Sequence, residues 1–120
     1  MLDKAKIFHK EISEKGTSLS ATLIELKNSY VALLSEGEER LGTLVVSIPT
    51  RLEISKLPLS STLLGERNVM VARLIAERLA AVTKKMVLVS LFVNTMNESQ
   101  AGRIFMKLLE ELLKERGDEG

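Results

Sequence analysis

Hydrophobic positions change their period near the middle of the chain. Between Lys4 and Ile48 they come in short runs separated by turn residues, and beyond Gly65 they recur at helical spacing. Lys4–Ser13 alternates loosely, with Ala5 and Ile7 on one face and Phe8 and Ile12 on the other, and Lys15-Gly16 ends it. Leu19–Leu26 is rich in Leu, Ile and Thr and is too short for a comfortable helix. Lys27-Asn28-Ser29 supplies a turn, and Tyr30–Ser35 resumes an apolar run. Glu36-Gly37-Glu38-Glu39 reads as a polar hairpin loop. Leu41–Ile48 follows and stops at Pro49, which has no N–H to give to a ladder. Four successive short strands predict an antiparallel β-meander.

Pro49–Pro58 holds both prolines and reads as an irregular connection with room for a short edge strand. From Gly65 to Lys84, Val71, Leu74, Ile75, Leu79 and Val82 share a helical stripe, opposite Arg73, Glu77 and Lys84. Alanines at 72, 76, 80 and 81 raise helix propensity and permit close packing. Met86–Val93 is apolar on both faces, the pattern of a central strand covered on both sides. Asn97 and Gln100 form a capping pair for a last helix that reaches about Arg116. Its apolar face is Ala101, Ile104, Phe105, Leu108, Leu109, Leu112 and Leu113. Glu110 and Lys114 make an i,i+4 pair, and Gly117 is placed as a C-terminal stop. The sum is an α+β fold: an antiparallel β-meander followed by α-β-α, one mixed sheet packed with two helices, with residues 1–120 as a single domain.

Composition narrows the function. The 120 residues include no cysteine and one histidine, His9, which removes disulfides, thiolate nucleophiles and two-histidine zinc sites. Seventeen basic against sixteen acidic residues give a net charge of +1 and no electrostatic footprint for nucleic acid or an anionic membrane. With neither a spanning segment nor a secretory signal in view, the expected location is cytoplasmic.

Each candidate for chemistry has a plainer structural reading. His9 has no sequence neighbour suited to be a nucleophile or an orienting group, so it reads as an ordinary strand histidine. Glu36, Glu38 and Glu39 lack the oxygen spacing of a calcium loop and read as a solvated hairpin tip. Lys84-Lys85 and Arg51 are cationic, but two lysines at a helix end more often complement the helix dipole than grip phosphate. Ser60-Ser61-Thr62 before Gly65 read as a turn with hydroxyl caps; an anion at that helix start is the alternative, though one glycine does not make a phosphate cradle. No catalytic, cofactor-binding or metal-ligating residue is assigned. Met70, Met96, Met106, Val69 and Leu2 fall off the ideal stripes, and this surplus points to apolar surface for another protein.

Leu57-Pro58-Leu59-Ser60-Ser61-Thr62-Leu63-Leu64-Gly65-Glu66, the helix with Ala72-Arg73-Leu74 and Glu77-Arg78-Leu79-Ala80, then Thr83-Lys84-Lys85 and Val87-Leu88-Val89-Ser90, resemble the proteasome assembly chaperone 4 family and, more loosely, chaperone 3. The likeness covers Leu57–Lys114 and reads as an archaeal-type homologue; over residues 1–50 only the strand-rich pattern agrees. The resemblance implies a small α+β protein without cofactor or catalysis. It also implies a homodimer that binds α-subunits of the 20S proteasome and helps them form a seven-membered ring. Leu63, Leu64 and Gly65 match a segment expected to define the fold, with Gly65 making the turn into the helix. A roadblock-type dimeric scaffold or regulator is the other interaction reading, and a small-anion binder using Gly65 the reading from a different class.

Overall fold

The computed structural model describes residues 4–49 and 59–119, with side chains through residue 115. Among them the elements run β1 (Lys6–Glu14), β2 (Thr17–Glu25), β3 (Ser29–Glu36), β4 (Thr43–Ile48), β5 (Leu59–Leu64), α1 (Val69–Thr83), β6 (Met86–Phe92) and α2 (Glu98–Glu119). The strands form one mixed sheet in the order β1-β2-β3-β6-β4-β5. The α+β class with two helices on a mixed sheet is the fold expected. Leu2, Arg51 and any edge strand between Thr50 and Pro58 lie outside the described residues.

The first three strands are the expected meander. Lys15 (φ 50°) and Gly16 (φ 81°) form a two-residue turn that sets Glu14 opposite Thr17. Two positive φ values match the right-handed twist of the flanking strands. The fourth strand departs from expectation, because β6 enters between β3 and β4, parallel to one and antiparallel to the other. Only the central slot pairs both ladder edges of this mainly apolar strand, and Val87, Val89, Ser90 and Leu91 are buried there. Residues 37–42 are therefore a crossover past the end of β6, not a hairpin tip. Gly42 passes so close that a Cβ would stand 2.1 Å from the Leu91 carbonyl oxygen.

Ser60, Ser61 and Thr62 belong to β5, not to a capped turn. Their partners are Ser47, Val46 and Val45 of β4, and the Ser47 hydroxyl donates to the Leu59 carbonyl at 2.9 Å. Beyond β5, Gly65 has φ 91°, and a side chain there would meet Thr43 Oγ1 at 2.7 Å. The Thr43 hydroxyl donates to the Arg67 carbonyl at 2.5 Å, pinning this segment to the start of β4. Helix α1 thus begins at Val69, after a left-handed Asn68 without a side-chain cap, and not at Gly65.

Both helices lie on the same side of the sheet. Helix α1 packs on β4, β5 and β6, and α2 packs on β1, β2 and α1. Helix α1 turns its small stripe inward: Ala72, Ile75, Ala76, Leu79 and Ala80 are buried, while the expected core residues Leu74 and Val82 are 59% and 60% exposed. Alanines let the helix axis approach the sheet, and the larger aliphatics are left on its flanks. Helix α2 keeps its expected face, with Ala101, Phe105, Leu108, Leu109 and Leu112 buried and Ile104 and Leu113 packed beside them. The Asn97 side-chain oxygen accepts from the Gln100 N–H at 3.2 Å, so Asn97 is the expected cap. Glu110 meets Arg78 of α1 at 3.7 Å instead of its expected helical partner Lys114. The helix runs through Gly117 to Glu119; one glycine costs about 1 kcal/mol relative to alanine, too little to stop so long a helix.

Candidate protein-binding surface

With both helices on one side, strand alternation leaves a whole face of the sheet without a helix or strand against it among the described residues. The register builds it row by row. One row crosses six strands as Ile7, Ile24, Val31, Leu88, Val46 and Ser61. The next reads His9, Thr22, Leu33, Ser90, Leu44 and Leu64, and the third Glu11, Ser20, Ser35 and Phe92. The face therefore grades from polar to apolar down the strands. At the apolar end Ile7 is 69% exposed and Ile48 56%, and Ile24, Val31, Leu88 and Val46 are half-buried. The sequence expectation that β6 is covered on both sides holds on the helix side only; Leu88 looks outward.

The crossover at residues 37–42 roofs the polar end. The Arg40 backbone N–H donates to the Ser35 hydroxyl at 3.1 Å, and the Gly42 N–H donates to the Ser90 hydroxyl at 3.0 Å. The Arg40 guanidinium stands 5.6 Å from the Phe92 ring centroid, within cation–π range. Glu39 reaches to 3.8 Å from His9 Nδ1. Charge and hydroxyls thus gather at one end, and the other end is apolar and uncovered among the described residues.

The residues singled out for chemistry do not converge on a reacting centre. The His9 ring sits 2.7 Å from the Thr22 hydroxyl and 3.1 Å from Glu11, on an exposed strand. Glu38 meets Arg40 at 3.7 Å in solvent. Glu36 is no part of a solvated tip: it is 7% exposed, at the end of β3. Its carboxylate accepts the backbone N–H groups of Asn94, Thr95 and Met96 at 2.9–3.2 Å and the Thr95 hydroxyl at 2.6 Å. Burial alone pushes this carboxyl up, and the Thr95 hydroxyl with the Met96, Thr95 and Asn94 amides outweighs it, leaving the pKa below the usual value. Glu36 is a structural latch between β3 and the approach to α2. Lys84 is the left-handed C-cap of α1, and the Lys85 ammonium lies 5.1 Å over the Tyr30 ring and 3.9 Å from Glu25. A shallow concavity of 390 Å³ nearby is lined by Lys4, Lys6, Lys27, Lys85 and Glu25 with Ala5 and Leu26, and no hydroxyl or imidazole side chain is among these residues. Among the described residues no cluster of acidic or histidine side chains could hold a metal ion, and no helix is long and apolar enough to cross a membrane.

Of the surplus apolar residues, Met96 and Met106 pack against the core, Val69 is half-buried and Met70 is 69% exposed. Leu63 and Leu64 end an outer strand, at 53% and 50% exposure. The open-face row was the feature sequence reasoning missed. Its signal is the double occupancy of β3, where Tyr30, Ala32 and Leu34 serve the core and Val31 and Leu33 repeat the apolar pattern on the other parity.

A sheet backed by helices on one side and carrying an apolar row, uncovered among the described residues, on the other has the build of a protein-binding module. The proteasome assembly chaperone 4 family model matches residues 18–93, and the chain belongs to that family, whose members are assembly chaperones and not enzymes. The fold is similar to a chain in the crystal structure of a chaperone complex for yeast 20S proteasome assembly, with a TM-score of 0.65 and 14% identity over 96% of this chain and 97% of that one. No curated protein matches the chain.

Proposed function

We propose that this proteasome assembly chaperone acts in the cytoplasm as a homodimer, each chain a single domain, that binds α-subunits of the 20S proteasome and promotes their closure into a ring. The observation that carries the reading is the uncovered apolar row from Ile7 to Val46. Stacking it on its own copy about a two-fold axis removes it from water, at the spacing of about 10 Å that stacked sheets adopt. A standard interface needs about 800 Å² from each partner, and a molecule 40 Å by 34 Å across its two longer axes can offer that from one face. The roofing segment at residues 37–42 supplies a polar rim, as interfaces usually have. The dimer then presents two helical backs and two pairs of sheet edges, enough surface to hold neighbouring subunits in register.

Light scattering on the purified chain tests the dimer, with a mass of twice 13.3 kDa as the expected result. Co-expression with 20S α-subunits tests the client: capture of those subunits and faster ring formation are expected. A monomer that leaves ring formation unchanged overturns the reading.

A further inference from the structure

The two edges of the sheet are built differently. Edge strand β1 carries Lys6, His9, Lys10, Glu11 and Glu14 among its nine residues, and Lys10 is tied to Glu111 of α2 at 3.5 Å. Charges of this kind keep foreign strands from pairing with an edge. Edge strand β5, Leu59–Leu64, has no charged residue among six. Among the described strands its one partner is β4, and Leu59 is 70% exposed. A short edge without a charge of its own, opposite one that is densely charged, is the asymmetry of a strand-accepting site.

We infer that β5 takes up an extended segment of the client protein, which joins the sheet as a seventh strand. The inference rests on the proposed dimer and client. Side chains around β5 define the segment's chemistry. On the open-face side, Leu59 and Leu64 continue the apolar layer of Ile48 and Leu44. On the helix side, Arg73 donates to the Ser60 hydroxyl at 2.9 Å and to its carbonyl at 3.4 Å, and that hydroxyl donates to Glu77. The incoming strand therefore alternates: apolar residues extend the open face, and polar ones lie beside Arg73 and Glu77. A second copy is the poorer occupant. With the open faces already stacked, pairing β5 with β5 as well would leave every dimer a free edge to pass on, and the copies would grow into chains without closure.

Amide hydrogen exchange of the whole chain, alone and bound to 20S α-subunits, tests this. Amides of residues 59–64 are expected to gain about tenfold or more protection in the complex only. Thr62→Lys, a charge on the helix side of the edge, should weaken α-subunit binding about tenfold, with Thr62→Val binding like the parent and both remaining dimers. A complex in which residues 59–64 exchange as in the free chain overturns the strand site and leaves the proposed function standing. Protection already present in the free dimer overturns it too, because another part of the dimer then fills the edge. Failure of the parent chain to form any complex overturns the proposed function, and the strand site with it.

Discussion

Glu36→Gln probes how much of the fold one carboxylate holds. The substitution keeps size and one acceptor oxygen but puts an NH₂ where the second oxygen was. Four donors converge on the carboxylate: the N–H groups of Asn94, Thr95 and Met96 and the Thr95 hydroxyl. Hydrogen bonds to a charged group contribute about 1.5–3 kcal/mol each, against about 1 kcal/mol for neutral ones. The amide weakens those that remain and turns its own donors against at least one N–H. A loss of about 3–5 kcal/mol follows, a large share of the total for a domain of this size. Urea unfolding followed by far-ultraviolet circular dichroism, at one fixed protein concentration, measures it. Glu38→Gln is the control, since its pairing with Arg40 at 3.7 Å is solvent-exposed and worth under about 1 kcal/mol.

The same pair of proteins carries a pH signature. The folded-state pKa of Glu36 lies below its ordinary value of 4.5. Its contribution is therefore complete above that value and is lost as pH falls through the lower folded-state pKa. The parent should outlast Glu36→Gln by the full margin at pH 7, and the margin should narrow steadily once the pH drops below about 4.5. A variant that unfolds within about 0.5 kcal/mol of the parent at pH 7, or a margin that stays constant into acid, refutes the latch.

Three further outcomes follow from the packing. Leu88→Asp, in the middle of the open row, should yield a folded monomer by light scattering with an unchanged circular-dichroism spectrum. Gly42→Ala forces a Cβ to within 2.1 Å of the Leu91 carbonyl oxygen and should cost about 3 kcal/mol or more in thermal unfolding, whereas Gly37→Ala meets nothing within 4 Å and should cost only about 1 kcal/mol for its positive φ. Leu79→Ala should destabilise by about 2–5 kcal/mol, and Leu74→Ala, at 59% exposure, by less than about 1 kcal/mol.

Local rules read well where the structure obeys local physics. The Lys15-Gly16 hairpin, the Asn97 cap, the apolar face of α2 and the central position of Met86–Phe92 in the sheet all follow from spacing and turn chemistry. The rest depends on tertiary competition. Nothing between Ser29 and Ile48 states that a strand some forty residues downstream will take the place between β3 and β4. The polarity of Glu36-Gly37-Glu38-Glu39 suggests a solvated loop because sequence shows a carboxylate's charge but not the three amides that will meet it. Helix α1 misled in the same way: Leu74 and Val82 have the greater apolar area, yet the alanine stripe wins because it fits nearer the sheet. The strand β5 was hidden by its serines, which suit a turn by composition and an edge strand by position. The open face could be read from the double apolar parity of β3, but only once both helices were known to lie on the opposite side.

The place of β6 between β3 and β4 also orders events during synthesis. The first three strands can zip together through adjacent hairpins as soon as they leave the ribosome. Their inner edge, β3, then waits with its hydrogen-bonding groups unclaimed until residues 86–92 emerge, and β4 waits for the same residues. Closing so long a loop is slow compared with hairpin formation, so the nascent chain passes through a stage with a strand-wide gap flanked by Tyr30–Ser35 on one side. The keystone is made nearly last, and a truncation that ends before Met86 should give an aggregating half-sheet and not a smaller working domain.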